Sequence, residues 1–522
     1  MKWHLIIFIN KTKRDKRRYY KRQAIIILET LVFSFLVKAD VNAQNASVRL
    51  DSLFTTLVKN NEFNGNVVVT EKNKVIYQHS FGYADAEHQL LNTGETAFNL
   101  ASVSKIFTAV VILQLKQRGK LRLDDYFIKY FPDFPWPQIT LRHLLSHTSG
   151  LPDYQIFEEP YHNNPAKIYT INDLILAFKN DKRGLLFKTG ERYSYSNTGF
   201  GLLALLVEKL SGMKFQDYLS KYIFRPADMT HTYIQSPLIK VDDKNRAKRY
   251  EFLSYAPNKY KIIDSVKSDY IDAFILGGIL GPTGVISTTG DMLKFDQSLY
   301  GGKLLKPETL EEAFVPTVLN NGEKAITGWK NTLSYYGLGW EILCDSACGK
   351  VVWHSGGAAG MVTFFLRNVS RKQTVVILDN VTHRGLHPQG VNAFYILNGG
   401  TLFTEKKSLS KVYVAALHKK GADAAAVIFN QFKADSIHYF MDEKELNRLG
   451  HDLLNDGYQS EALEVFKLNT FLYPGSFNVY DSYAEALKGV SKKEEAIKMY
   501  QKSVELNPKN ESAKKVLENL LK

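Results

Sequence analysis

Ser102-Val103-Ser104-Lys105 opens a strongly apolar stretch that runs to about Arg118 and is closed by Gly119. The stretch predicts a helix. Residues i and i+3 share a helix face, so the Lys105 ammonium can lie beside the Ser102 hydroxyl. A serine hydroxyl is a weak nucleophile until something takes its proton. A buried, partly desolvated lysine can do that, and a helix N-terminus adds positive potential where negative charge develops. Without the lysine, Ser102 reads as an ordinary helix cap, and a Ser-x-x-Lys spacing by itself arises by chance in lysine-rich chains.

Two further groups supply what such a pair lacks. Tyr195-Ser196-Asn197 falls on a loop entering a helix. Tyr195 beside a lysine can relay protons if positive charge pulls its phenol well below the free value of about 10. Asn197 offers one acceptor and two donors for a substrate amide. His354-Ser355-Gly356-Gly357 follows the strand-like Val351-Val352-Trp353. Small residues at a strand edge let a substrate backbone pair with it, and the Gly357 amide, with that of Ser102, can form an oxyanion hole. His354 offers a positive or hydrogen-bonding group. Taken singly, these groups read as a cap, a packed aromatic and a structural histidine.

The elements that must position these residues follow from pattern. Asn66–Thr70 and Val75–Tyr77 flank a polar turn and predict a hairpin. Helices are expected over Arg142–Ser146, Asn172–Lys179 and Gly199–Ser211, and strands over Tyr336–Leu343, Lys350–Trp353, Met361–Leu366 and Gln373–Leu378. Strands at both ends of a region with helices between them predict a mixed α/β fold: an antiparallel sheet flanked by helices, with an inserted helical subdomain. From about Ser408 the pattern is helical. Glu461-Ala462, Phe466 and Pro474 recur 34 residues on as Glu495-Ala496, Tyr500 and Pro508. That period, with alanine at the packing contact, resembles the tetratricopeptide repeat. Two units, at about residues 445–512, are too few to stand alone, so they must take packing from the main domain, from residues 408–443 or from a protein partner.

The chain has 522 residues, 45% apolar and 23% charged, enough for several packed units. Its net charge of +14 is uneven: residues 1–43 hold ten Lys and Arg against three acids. No long basic run with interleaved aromatics follows, so nucleic-acid binding is not expected. Within that leader, a basic stretch (Lys11–Arg22) precedes an apolar run (Ala24–Val37) and then Val41-Asn42-Ala43. This reads as a signal peptide, with an uncleaved anchor as the competing reading, and places the protein in the periplasm or outside the cell. Cys344 and Cys348 flank a tight turn and read equally as a small disulfide or as two thiols.

The order Ser-x-x-Lys, Tyr-x-Asn, His-x-Gly, at separations of 93 and 159 residues, resembles the β-lactamase and penicillin-binding-protein superfamily, especially its class C branch and the related esterases and D-amino-acid peptidases. Leu144–Leu151 and Gly284–Asp291 resemble the same group, and the likeness covers roughly residues 48–400. It implies that Ser102 becomes acylated, that Lys105 and Tyr195 share the acid–base work, that Asn197, His354, Gly356 and Gly357 hold substrate, and that no metal or organic cofactor is needed. It implies a small-molecule or cell-wall-peptide substrate. His354 replaces a lysine found in many members, trading a fixed charge for one that depends on pH and favouring an esterase or peptidase over an efficient β-lactamase. His147 falls in a stretch that resembles a structural turn of the family. The competing reading is a non-catalytic peptidoglycan-binding or sensor protein that uses the tail for interaction.

Overall fold

The computed structural model describes residues 44–522, apart from 254, 257–259, 264–275, 330–331, 344–346, 383–385 and 405. The expected hairpin forms from β1 (Gly65–Glu71) and β2 (Lys74–Ser80). Lys72 and Asn73 both take positive φ at its tip, as a tight hairpin turn requires. Six strands return late in the chain: β3 (Ile326–Trp329), β4 (Thr332–Tyr336), β5 (Glu341–Leu343), β6 (Val351–Ala358), β7 (Met361–Asn368) and β8 (Gln373–Asp379). With the hairpin they build one antiparallel sheet in the order β3-β4-β5-β6-β7-β8-β1-β2, in which the sheet's first strand in the chain pairs with its last, Val67 opposite Ile377. The stretch Tyr336–Leu343 is not one strand. The Gly337 amide donates to the Trp340 carbonyl at 2.9 Å and Gly339 has φ +92°, so the chain turns between β4 and β5. A Cβ on Gly337 would lie 2.1 Å from the Ala313 carbonyl oxygen.

Helices cover both faces of this sheet. The expected helix after Ser102 is α1 (Ser104–Gln117), buried at every residue from Ser104 to Leu115. It is buried all round because it runs through the core, in one cluster with Val352, Phe365, Val376 and Leu378. The other helices used below are α2 (Leu141–Leu145), α3 (Asn197–Ser211), α4 (Thr289–Tyr300) and α5 (Leu386–Asn398). Phe365 joins the α1 core, while its neighbour Phe364 meets α5 at Gly390, as strand alternation dictates. The mixed α/β architecture anticipated from the pattern is thus the one observed.

Under the sheet, Arg367 on β7 donates to Asp296 on α4 at 2.8 Å and to Thr374 Oγ1 at 2.9 Å, with both charged side chains nearly inaccessible. Burial pushes the Asp296 carboxyl up to about 6 even though the Arg367 charge opposes it. The pair therefore costs desolvation that its attraction barely offsets. Asp296→Ala, which strands the guanidinium, is expected to destabilise the fold by about 3–5 kcal/mol in urea titrations, whereas Asp296→Leu combined with Arg367→Met should come out near neutral. Equal losses from the two variants would contradict this account.

Contacts divide the chain into two compact units, the second made of residues 249–265, 381–385 and 403–522. Its helices are α6 (Leu409–Lys420), α7 (Ala422–Phe432), α8 (Glu443–Asn455), α9 (Gln459–Leu472), α10 (Phe477–Gly489), α11 (Lys493–Leu506) and α12 (Glu511–Leu521). α8 and α10 begin 34 residues apart, as do α9 and α11. Ala462, Phe466 and Ala496 are fully buried and Tyr500 nearly so. A Cβ on Gly450 would lie 2.6 Å from the Phe466 ring, which is why α8 and α9 can pack so closely there. The packing that two such pairs lack comes from α6 and α7 and from Tyr255 and Ala256, which enter this core from the middle of the chain.

The leader of residues 1–43 and Cys344 lie outside the described residues, as therefore does any Cys344–Cys348 pairing; Cys348 itself is buried. Among the described residues no helix is long and apolar enough to cross a membrane.

Candidate active site

Ser102 lies two residues before the first residue of α1. It is in a 3-10 turn, Ala101–Val103, that leads into α1. Ala101 there has φ +45°, a left-handed conformation that costs an L-residue about 1–2 kcal/mol and must be held by its surroundings. Three bonds hold it. The Ala101 amide donates to Asn99 Oδ1 at 2.8 Å, the Leu100 amide to the Val285 carbonyl at 2.9 Å, and Thr363 Oγ1 on β7 to the Leu100 carbonyl at 2.8 Å.

Lys105 is fully buried, at 0% exposure. Its Nζ lies 3.1 Å from Ser102 Oγ, 2.8 Å from Asn197 Oδ1 and 3.1 Å from the Pro282 carbonyl oxygen. Two of these neighbours are acceptors without a hydrogen to give. A neutral amine that donates to both has one lone pair left, and the third neighbour is the Ser102 hydroxyl. Burial pushes the Lys105 amine down to about 7, although the Asp153 carboxylate pulls it the other way.

Tyr195 presents its ring partly to solvent, with the Lys105 ammonium 4.7 Å from the ring centre. The sequence reading required a phenol lowered by positive charge. Although the ring is part-exposed, desolvation of the phenol against Ser102 pushes it well above its ordinary value, and the hydrogen bond with Ser102 opposes that only in part. Tyr195 is therefore a neutral phenol at physiological pH. His147, at the turn after α2, accepts the Ser196 amide on Nδ1 at 3.1 Å and lays its ring 4.3 Å from that of Tyr195. Burial, with the Lys105 charge, keeps it well below the ordinary histidine range, so it is a neutral platform under the tyrosine.

His354 departs from expectation in the same way. Its Nδ1 is 2.6 Å from the Ser355 carbonyl oxygen, which can only accept, so the ring proton is on Nδ1 and Nε2 is left to accept from Tyr336 at 3.4 Å. Burial, then the Lys105 charge, push it down to about 3. The pH-dependent charge anticipated from the sequence is absent above that value. Beyond His354, Gly356 is wedged against the nucleophile turn, and a Cβ there would come 2.5 Å from the Leu100 carbonyl oxygen and 2.9 Å from the Ser102 amide nitrogen. Gly357 faces open space. Gly356→Ala is expected to force β6 and the turn apart, costing about 1–3 kcal/mol of stability by overpacking. Thermal melts and ester turnover should fall together, and a variant as active as wild type would show that the turn yields freely.

Asn197 opens α3. Its oxygen takes the Lys105 bond and its Nδ2 donates to Asp153 Oδ2 at 2.9 Å. Asp153 belongs to none of the sequence motifs. Only its place after Leu151-Pro152, in the stretch that follows the His147 turn, could have drawn attention to it. Tyr336 and the Pro282 carbonyl were likewise invisible before the fold was known.

A Ser–Lys pair at the start of a buried helix, faced by a Tyr-x-Asn loop and a glycine-bearing edge of an antiparallel sheet, is the arrangement of a serine hydrolase. The beta-lactamase family model matches residues 50–394, and the chain belongs to that family. It is 35% identical over 342 residues to penicillin-binding protein 4* of Bacillus subtilis, covering 65% of this chain and 72% of that protein. It is 27% identical over 324 residues to a beta-lactamase of Escherichia coli, covering 61% and 77%. In fold it is similar to a penicillin-binding protein from Bacillus halodurans (TM-score 0.54, 24% identity, 66% of this chain and 98% of that one). It is also similar in fold to the D-amino acid amidase of Ochrobactrum anthropi SV3 complexed with L-phenylalanine amide (TM-score 0.53, 22% identity, 69% and 97%).

Proposed function

We propose that this hydrolase forms an acyl-enzyme on Ser102 and cleaves an ester, or a D-amino-acid amide or peptide, in preference to a β-lactam. One observation carries the reading: the buried Lys105 amine has two fixed acceptors, and its remaining neighbour is the Ser102 hydroxyl. Lys105 takes the Ser102 proton as Oγ bonds to the substrate carbonyl carbon. The carbonyl oxygen becomes negative, facing the amides of Ser102 and Gly357. Collapse breaks the bond to the leaving group, which takes back the proton from Lys105 by way of the Tyr195 phenol. Water then attacks the acyl carbon by the same relay, frees the acid and restores Ser102. Asn197 holds the acyl side chain. The neutral His354 offers no cation for a substrate carboxylate, which supports the preference against β-lactams. The amidase and penicillin-binding relatives support a D-amino-acid or cell-wall-peptide substrate.

Intact-mass measurement after exposure to a fluorophosphonate and to a penicillin tests this, followed by a panel of esters, D-amino-acid amides and β-lactams. A gain of one acyl or phosphonyl mass and faster turnover of esters or amides are expected. A folded protein that gains mass from neither reagent would sink the proposal. The basic and apolar leader supports export. The 34-residue spacing of α8–α11 supports a tetratricopeptide-like tail offered to a protein partner.

A further inference from the structure

Asp153 is half-buried and accepts three hydrogen bonds from the start of α3. Its Oδ1 takes the backbone amides of Asn197 at 3.0 Å and Thr198 at 3.2 Å. Those two are what any carboxylate does at a helix N-terminus. The third, from Asn197 Nδ2 to Oδ2 at 2.9 Å, is not a cap bond. A carboxylate can only accept, so the edge of the Asn197 amide that meets Asp153 must be its NH2 group. Its oxygen must then face Lys105 Nζ, 2.8 Å away. A reversed amide would set oxygen against oxygen at Asp153 and NH2 against the Lys105 hydrogens.

We propose that Asp153 is a positioning residue for acyl transfer: it locks the Asn197 amide so that its oxygen takes one Lys105 hydrogen and the Lys105 lone pair stays aimed at Ser102. The lock also leaves the second Nδ2 hydrogen of Asn197 for a substrate acyl group. The inference rests on the acyl-transfer reading for its kinetic consequence, but not for its geometry. Asp153 also acts through charge. The groups facing Lys105 are Ser102, Asn197, the Tyr195 phenol and the neutral rings of His147 and His354, and the Asp153 carboxylate is the acid whose field favours the ammonium.

Two variants separate the lock from the helix cap. Asp153→Asn sets an NH2 group against Asn197 Nδ2. Asp153→Ser retains a good cap but neither reaches the Asn197 amide nor carries charge. Both are expected to slow fluorophosphonate labelling and ester turnover by about 10–100-fold, the scale of a misplaced catalytic group. Both should also move the acid limb of the pH profile to lower pH, because the amine loses the charge that favoured its protonation. Asn197→Ala keeps that charge and loses only an acceptor, so its limb should move less than that of either Asp153 variant, and Asp153→Asn with Asn197→Ala should be no slower than the slower single variant. Crystal structures of the two Asp153 variants should show the Asn197 oxygen withdrawn from Lys105. Wild-type rates with an unmoved limb in folded Asp153→Ser would reduce the residue to a cap and overturn the proposal. So would a retained Lys105–Asn197 bond in Asp153→Asn. If wild type itself takes no label, the acyl-transfer reading fails, and the variant structures still decide whether Asp153 sets the amide.

Discussion

Ser102→Ala is expected to take no mass from a fluorophosphonate or a penicillin and to lose ester turnover by a factor on the order of 10^6, the scale seen when a serine nucleophile is removed. The size of the effect follows from its position. The left-handed Ala101, held by Asn99, Val285 and Thr363, aims one hydroxyl at one buried amine. No other part of the relay can form the covalent bond. The fold should survive, since the hydroxyl bonds only the side chains of Lys105 and Tyr195 within the site, and the turn is held by its backbone and by neighbouring strands. Labelling that persists on the variant, mapped to another residue by peptide mass, would displace Ser102 from its role.

Lys105→Met is expected to slow acylation by about 10^2–10^4-fold, the range for losing a general base. The sign of the pH dependence is fixed by which form works. The neutral amine accepts the proton, and burial has pushed it down to about 7, so turnover should rise through pH 7 and level off above it. Lys105→Arg should be as slow as the methionine variant despite keeping the charge, because a guanidinium stays protonated. Glu341, bonded by Thr327, is also pushed up to about 7 by burial. The control is therefore Glu341→Gln, which should leave the limb in place. A stopped-flow ester assay from pH 5 to 9 reads all three variants. A limb that survives in Lys105→Met, or vanishes in Glu341→Gln, would assign the base elsewhere.

The legible parts of this protein share a cause: they depend on residues close in sequence. The i, i+3 relation of Ser102 to Lys105, the β1–β2 hairpin, the late strands and the 34-residue helical period are all local geometry, written in spacing and hydropathy. What the tertiary structure alone decided depends on segments far apart. Lys105 meets Asn197 across 92 residues and Pro282 across 177, and Asp153 sets the Asn197 amide across 44. Tyr255 joins a helical core that begins 154 residues later at Leu409. Tyr195 and His354 shift in directions that their residue types do not fix, for the same reason: residue type says which proton can move, but desolvation says which charge is tolerated. Residue types and spacings by themselves determined that a serine and a lysine stand together at a helix start. Packing determined that the lysine is fully desolvated, that the tyrosine and histidine beside it are held uncharged, and that Asp153 meets the Asn197 amide, because desolvation and long-range hydrogen bonds exist only once the chain has folded.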